Sequence, residues 1–213
     1  MKRLNTIWIF LLFLISNLNA QQPKKQLDSR DVENLCKSLD TVLQKEHIPG
    51  LMLAMVNKDS IIFAGGLGYS DLSNKRKVNS QTQFHLASIT KFFVAMGIQH
   101  LVSEGKLKLE DKVHDIAPEV PYTNPWESTH PLRIVHLLEH TSGFDDVHLN
   151  NMVNVCGKPS TGITAIEDIQ KSLNSRWKPG EMMSYSNPGY NLAGYIMEKV
   201  SGMPWNRYIE DRI

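Results

Sequence analysis

The 213-residue chain carries 41% apolar and 21% charged side chains and a formal charge of +1. Lys2 and Arg3 alone make that balance positive; without them it is −1, which argues against a nucleic-acid or anionic-membrane partner. Two cysteines, Cys36 and Cys156, allow at most one internal disulfide, and neither has a partner at metal-ligand spacing.

Residues 1–20 combine Lys2 and Arg3 with an apolar run over 7–15 and small or polar residues up to Ala20. This reads as an export signal peptide, too short and wrongly flanked for a stable membrane span. No Cys follows it to carry a lipid anchor, and no later stretch is apolar enough to cross a bilayer. The expected mature product is an exported soluble protein, periplasmic or secreted. Residues 21–213 then form one domain, long enough for one good core, without internal repeats or low-complexity tracts.

A helix is expected over 29–46, with Val32, Leu35, Cys36, Leu39 and Leu43 on its apolar face and Cys36 a buried small hydrophobe. It ends before Ile48-Pro49-Gly50. Residues 51–56 and 61–66 read as strands joined at Asn57-Lys58-Asp59-Ser60, a hairpin signal whose far end is loosened by Gly65, Gly66 and Gly68. Residues 69–83 are polar and turn-like. They deliver the chain to 84–105, where Ile89, Phe92, Phe93, Ala95, Met96, Ile98, Leu101 and Val102 cover nearly every face of a 3.6-residue period. That pattern predicts a buried helix closed by Gly105.

Ser88 and Lys91 lie three apart at the N-terminal end of this helix, on one face. Two readings are open. Ser88 caps the helix by accepting from the Lys91 amide while Lys91 reaches water. Alternatively, Ser88 is a nucleophile activated by the amine, and the positive helix end is ready for an oxyanion. The same Ser-x-x-Lys spacing recurs at Ser103/Lys106 and Ser175/Lys178. The first straddles a helix end and the second runs into Lys178-Pro179-Gly180, a turn, so only Ser88 opens a buried helix.

Farther on, Asp111 can cap a turn running to Ile116, and Pro118, Pro121 and Pro125 forbid long helix. Thr129 caps a helix with Pro131 near its first turn, running through Leu132, Val135 and Leu138 to Gly143. Within it His136 and His140 flank Glu139 in a His-x-x-Glu-His pattern used by zinc peptidases. A third ligand would have to come from Glu167, Glu181 or Glu198. The simpler account puts His140 at a helix C-terminus, where positive charge is favourable. Residues 145–162 read as a polar surface loop, and Thr164-Ala-Ile-Glu167 as a capping box opening a helix to about Leu173. Asn187-Pro188 opens a helix with Leu192, Ile196 and Val200, closed by Gly202; Met203-Pro204 opens another to Ile213. Tyr185 and Asn187, two apart in an extended segment, point to one side, unless Asn187 merely caps the helix and Tyr185 packs.

Three segments in order, Leu86-Ala-Ser88-Ile-Thr-Lys91, His136-Leu-Leu-Glu-His-Thr-Ser-Gly143 and Pro179-Gly180 through Tyr185-Ser-Asn187-Pro-Gly-Tyr-Asn-Leu-Ala-Gly194, resemble the serine β-lactamase and penicillin-binding protein superfamily. The nearer relatives by this resemblance are class C β-lactamases, D-Ala-D-Ala carboxypeptidases and related esterases, over residues 48–213. The resemblance implies a β-lactamase-like fold of the α+β or α/β class, a helical domain with a partial antiparallel sheet. The family's third motif, Lys-Thr-Gly or a His-x-Gly relative, does not follow Asn187, so the C-terminal strands are expected to be missing and apolar surface exposed. The chain is therefore expected to be the N-terminal part of a larger enzyme.

The resemblance also implies a serine hydrolase that cleaves an amide, β-lactam or ester bond through an acyl-enzyme, with no metal or organic cofactor. Ser88 would attack the carbonyl and Lys91 would help remove its proton. Tyr185 would act as general base or relay, Asn187 would hold the substrate amide, and the Ser88 amide would give half the oxyanion hole. The substrate would be a small molecule or a peptidoglycan-like peptide. The competing expectation is a non-catalytic binding or regulatory remnant that keeps Ser88 and turns over nothing.

Overall fold

The computed structural model describes residues 28–148 and 161–213. The expected signal segment, Cys156 and most of the polar loop after Asp145 lie outside the described residues. The chain divides into two compact units, one ending at His85 and the other running from Leu86 to Ile213.

The first unit opens with helix α1 (Ser29–Lys45), capped by the Asp28 carboxylate, which accepts from the amides of Arg30 and Asp31. Leu43 is its buried residue; Leu35 is exposed and Cys36 is a half-buried free thiol, so Cys36 is not the buried hydrophobe expected of it. Strands β1 (Gly50–Val56) and β2 (Ile61–Asp71) pair antiparallel, with Leu51 opposite Leu67 and Met55 opposite Phe63. Asn57 Oδ1 closes their turn by accepting from the amides of Asp59 and Ser60.

β2 runs past the expected end at Gly66. Its glycines allow close approach rather than loosening the strand: a Cβ on Gly66 would run into Val78, and Gly68 at φ +70° sits against the Pro49 carbonyl. The polar segment then turns at Asp71, whose carboxylate accepts from the backbone and side-chain amides of Asn74. That turn adds a two-residue strand β3 (Arg76–Lys77) to a three-stranded sheet of order β1-β2-β3.

In the second unit a 3-10 turn (Ala87–Ile89) leads directly into helix α2 (Thr90–Ser103), stopped by Gly105 at φ +70°. The short helices α3 (Val113–Ile116), α4 (Ile134–Leu138) and α5 (Ile163–Glu167) and a 3-10 turn (Gln170–Ser172) precede α6 (Asn187–Ser201) and α7 (Trp205–Arg212). Phe144, Ile98, Leu101, Leu132, Leu137, Leu192 and Ile196 form the fully buried centre. Burial of α2 on all sides does not occur. Val94, Gly97, Ile98 and Leu101 face α6 and α7, while Ile89, Phe92 and Met96 form an exposed stripe. Gly97 lets α2 and α6 meet closely, since a Cβ there would lie 2.7 Å from Met197 Cε.

Two helix starts and one cap differ from expectation. α4 begins after Arg133, because Asn124 organises 124–130 as a turn, accepting from the Trp126 amide and donating to the His130 carbonyl, while Thr129 donates to the Trp126 carbonyl. α5 begins after Gly162 and places Thr164 inside it, donating to the Thr161 carbonyl, so no capping box forms. α6 is capped by Ser186, whose hydroxyl accepts from the Gly189 amide, and not by Asn187. Asp111 closes the turn before α3 by accepting from the Lys108 amide. Among the described residues, no helix is long and apolar enough to cross a membrane.

Candidate active site

Ser88 sits in the 3-10 turn that feeds α2, and Lys91 follows in the helix's first turn. Ala87, immediately before Ser88, holds φ +48°, a left-handed conformation unfavourable for a residue with a Cβ. Across from them Ser186 is extended (φ −140°, ψ 115°) and buried, and its cap together with Pro188 starts α6 at Asn187. The 3-10 turn and the start of α6 thus bring together residues nearly a hundred positions apart.

The four residues singled out from the sequence meet in one cluster. Ser88 Oγ and Tyr185 Oη are 2.7 Å apart. Lys91 Nζ donates to Ser88 Oγ at 3.4 Å and to Asn187 Oδ1 at 2.5 Å. The Ser88 hydroxyl does not cap α2, whose N-terminus carries no side-chain cap. Ser88 and Tyr185 are exposed, and Lys91 and Asn187 are half-buried. A reacting group arriving from solvent therefore meets the hydroxyl and the phenol first.

The electrostatics favour loss of the phenol proton. The Lys91 ammonium, and after it the Ser88 hydroxyl, hold the Tyr185 phenol below its ordinary value. An unshifted tyrosine costs about 4 kcal/mol to ionise at pH 7, so a shift in this direction lowers the barrier to its use as a base. Lys91 Nζ lies 5.0 Å from the Tyr185 ring centroid and 5.8 Å from that of Tyr190, within cation–π range of both. Burial, and then the charge of Tyr185, pushes the Tyr190 phenol up, and its hydroxyl donates to the Leu138 carbonyl.

Three further residues belong to this site that the sequence did not assign to it. His140 lies under Tyr185, ring centroids 4.5 Å apart, and beside Tyr190 at 5.1 Å. Its Nδ1 accepts from the Ser186 amide, and burial followed by the Lys91 charge holds it below the usual histidine value. His140 is therefore a neutral ring at pH 7, not the helix-end cation expected from its position. Tyr190 follows Asn187 by three on α6, a spacing that puts it on the same face and was there to be read. Asp146 accepts at one oxygen from the Asn187 amide (3.1 Å), Asn187 Nδ2 (2.9 Å) and the Val147 amide (2.8 Å). Burial alone would raise its carboxyl, but these hydrogen bonds and Lys91 outweigh that and lower it. No local pattern marks this aspartate.

The zinc pattern does not assemble. α4 ends at Leu138 and His140 has φ +60°, so His136 and His140 do not share a helix face. His136 Nδ1 accepts from the Arg133 amide as His140 Nδ1 does from Ser186. Glu181 pairs with Lys178, Glu198 accepts from the Trp205 amide, and no cluster of three metal-binding side chains occurs among the described residues. The other two Ser-x-x-Lys matches are structural. Ser103 donates to the His100 carbonyl, and buried Ser175 donates to the Ser142 carbonyl.

Comparison with known proteins bears on the family and the fold. The family model described as Beta-lactamase matches residues 33–213. A penicillin-binding protein of Bacillus subtilis is 34% identical over 179 residues, covering 82% of this chain and 37% of its own length. Protein flp of Staphylococcus aureus is 30% identical over 190 residues, covering 86% and 36%. The chain spans little more than a third of the length of these curated relatives. Among solved structures, the octameric penicillin-binding protein homologue from Pyrococcus abyssi has a TM-score of 0.70 at 28% identity, covering 86% of this chain and 42% of its own. A D-amino acid amidase from Ochrobactrum anthropi has a TM-score of 0.69 at 26% identity, covering 85% and 48%.

Proposed function

The chain belongs to the Beta-lactamase family, and from that premise we propose that it is a serine hydrolase acting through an acyl-enzyme on an amide, β-lactam or ester bond. The observation that carries this reading is the Ser88 hydroxyl lying 2.7 Å from the Tyr185 phenol and within reach of Lys91 Nζ. Tyr185 and Lys91 act as one coupled base, so the proton taken from Ser88 belongs to the pair. As that proton leaves, Ser88 Oγ forms a bond to the substrate carbonyl carbon and the carbonyl π pair moves to oxygen. Collapse of the tetrahedral adduct breaks the bond to the leaving group, which takes up the proton. Water repeats the sequence on the resulting ester, releasing an acid and restoring the Ser88 hydroxyl.

Asn187 Oδ1 spends one lone pair on Lys91 and keeps a second for a substrate N–H. The likeness to a D-amino acid amidase supports substrates as small as an amino-acid amide, and the penicillin-binding relatives support peptidoglycan-like peptides. Export belongs to the same reading: Lys2, Arg3 and the apolar run over 7–15 support a cleaved signal, and material recovered outside the cytoplasm should begin near residue 21 by intact mass.

Incubating the full chain with a fluorophosphonate and with a fluorescent penicillin tests the activity. Covalent label on the peptide containing Ser88, absent from Ser88→Ala, is the expected result. Lys91→Ala and Tyr185→Phe should slow labelling by about 100-fold or more, the usual contribution of a general base. A folded chain that takes no label from either probe is a binding module instead.

A further inference from the structure

We infer that Asp146 is a positioning residue: it sets which way the Asn187 amide faces and thereby holds Lys91 beside Ser88. Its consequence for rate rests on the acyl-enzyme reading above; its geometry does not.

The side-chain amide of Asn187 lies between two groups that each allow only one orientation. A carboxylate can only accept, so it must meet the NH2 end, and an ammonium can only donate, so it must meet the oxygen. Asp146 takes Nδ2 at 2.9 Å and Lys91 gives to Oδ1 at 2.5 Å. With the amide turned over, oxygen would face carboxylate and NH2 would face ammonium, both repulsive. Lys91 would be left with Ser88 Oγ at 3.4 Å and the ring faces of Tyr185 and Tyr190.

Asp146 is itself fastened. Its carbonyl accepts from the Ser172 hydroxyl, and the preceding carbonyl of Asp145 accepts from the buried Ser186 hydroxyl. Arg176 donates to the carbonyls of Gly143 and Phe144 and pairs with the Asp145 carboxylate. Among the described residues, the charged and titratable groups around it are Lys91 from α2, His140 from the turn after α4, Tyr185 before α6, and the Asp145–Arg176 pair. Asp146 makes no hydrogen bond to the Ser88 hydroxyl; it acts through Asn187.

The test uses the full chain with Asp146→Ala and Asp146→Asn, followed by two readouts. One is the fluorophosphonate labelling rate of Ser88 as a function of pH. The other is the titration of the Lys91 side chain by carbon NMR, assigned with Lys91→Arg. Asp146→Ala should slow labelling by about 10- to 100-fold, the scale of a catalytic group displaced by an ångström. Asp146→Asn keeps an acceptor for Asn187 but loses the charge. It should retain most of the rate, while both the labelling limb and the Lys91 titration move to lower pH. Asp146→Ala labelling like wild type at every pH, with an unmoved Lys91 titration, overturns the proposal. Equal loss in Asp146→Asn and Asp146→Ala also overturns it, since orientation would then not be what matters. Should Asp146→Ala lack the folded circular-dichroism spectrum, the Asp146→Asn arm decides. A wild-type chain that takes no label but whose Lys91 titration still answers to Asp146 sinks the hydrolase reading and leaves this one standing.

Discussion

Ala87 places a methyl-bearing residue at φ +48° immediately before the candidate nucleophile. The left-handed region costs an L-residue about 1–2 kcal/mol, and glycine escapes that at an entropic cost of about 0.5–1 kcal/mol. Ala87→Gly should therefore change stability by less than about 1 kcal/mol in urea unfolding. Ala87→Val should lower it by about 1–2 kcal/mol and slow labelling of Ser88, because a β-branched residue fits that conformation worst. His140 yields a second prediction. Its folded value lies below the ordinary 6.5 or so, so on acidification the unfolded chain takes the proton first. Its contribution is complete above about pH 6.5 and is lost as pH falls from there toward the folded value. His136 is shifted the same way by burial and then Arg133. Unfolding free energies at pH 7.5 and 5.5 should differ, and the difference should shrink in His140→Asn. At the other end of the scale, labelling should rise with pH through a midpoint below 10, because Lys91 lowers the Tyr185 phenol.

At the scale of elements, α6 is what joins the core to the site. Its cap, Ser186, is 1% exposed, accepts from the Gly189 amide and donates to the Asp145 carbonyl. Ser186→Ala should cost about 1–2 kcal/mol by thermal or urea unfolding, and it should loosen Asn187 at the same time. Leu192→Ala, which empties a fully buried position one turn on, should cost about 2–5 kcal/mol. The caps also show which element boundaries were legible. Gly105 and Gly202 stop their helices where the sequence places the stops, since a left-handed terminus is a local demand. Thr129 and Thr164 misled, because a hydroxyl satisfies a turn as well as a helix end. For Thr129 the choice is made by Asn124 reaching across to His130. Ser186 and Asn187 are both good caps by type. Asn187 is drawn off by Lys91 and Asp146, 96 and 41 residues away in the chain, and the cap falls to Ser186.

For the molecule as a whole, the exposed stripe of Ile89, Phe92 and Met96, at 61%, 62% and 38% exposure, is larger than scattered apolar residues explain. Ile89→Ser with Phe92→Ser should lower binding of a hydrophobic dye and suppress aggregation. The same pair should move the unfolding free energy by no more than about 1 kcal/mol, since exposed sites contribute little. The stripe is also where the all-round apolar pattern of 84–105 gave too much burial: a helical period names the apolar faces but not which of them meets a partner.

The hairpin, the long helices and the family were legible from residues alone, because alternation, period, capping glycines and three motifs in order are written in short windows. Ser88, Lys91, Tyr185 and Asn187 could be singled out the same way. Their convergence, the neutral His140 ring beneath Tyr185 and the Asp146 carboxylate behind Asn187 were decided only by the tertiary structure. Each depends on a hydrogen bond or ring contact between groups separated by 41 to 97 residues, a distance over which no local pattern carries information.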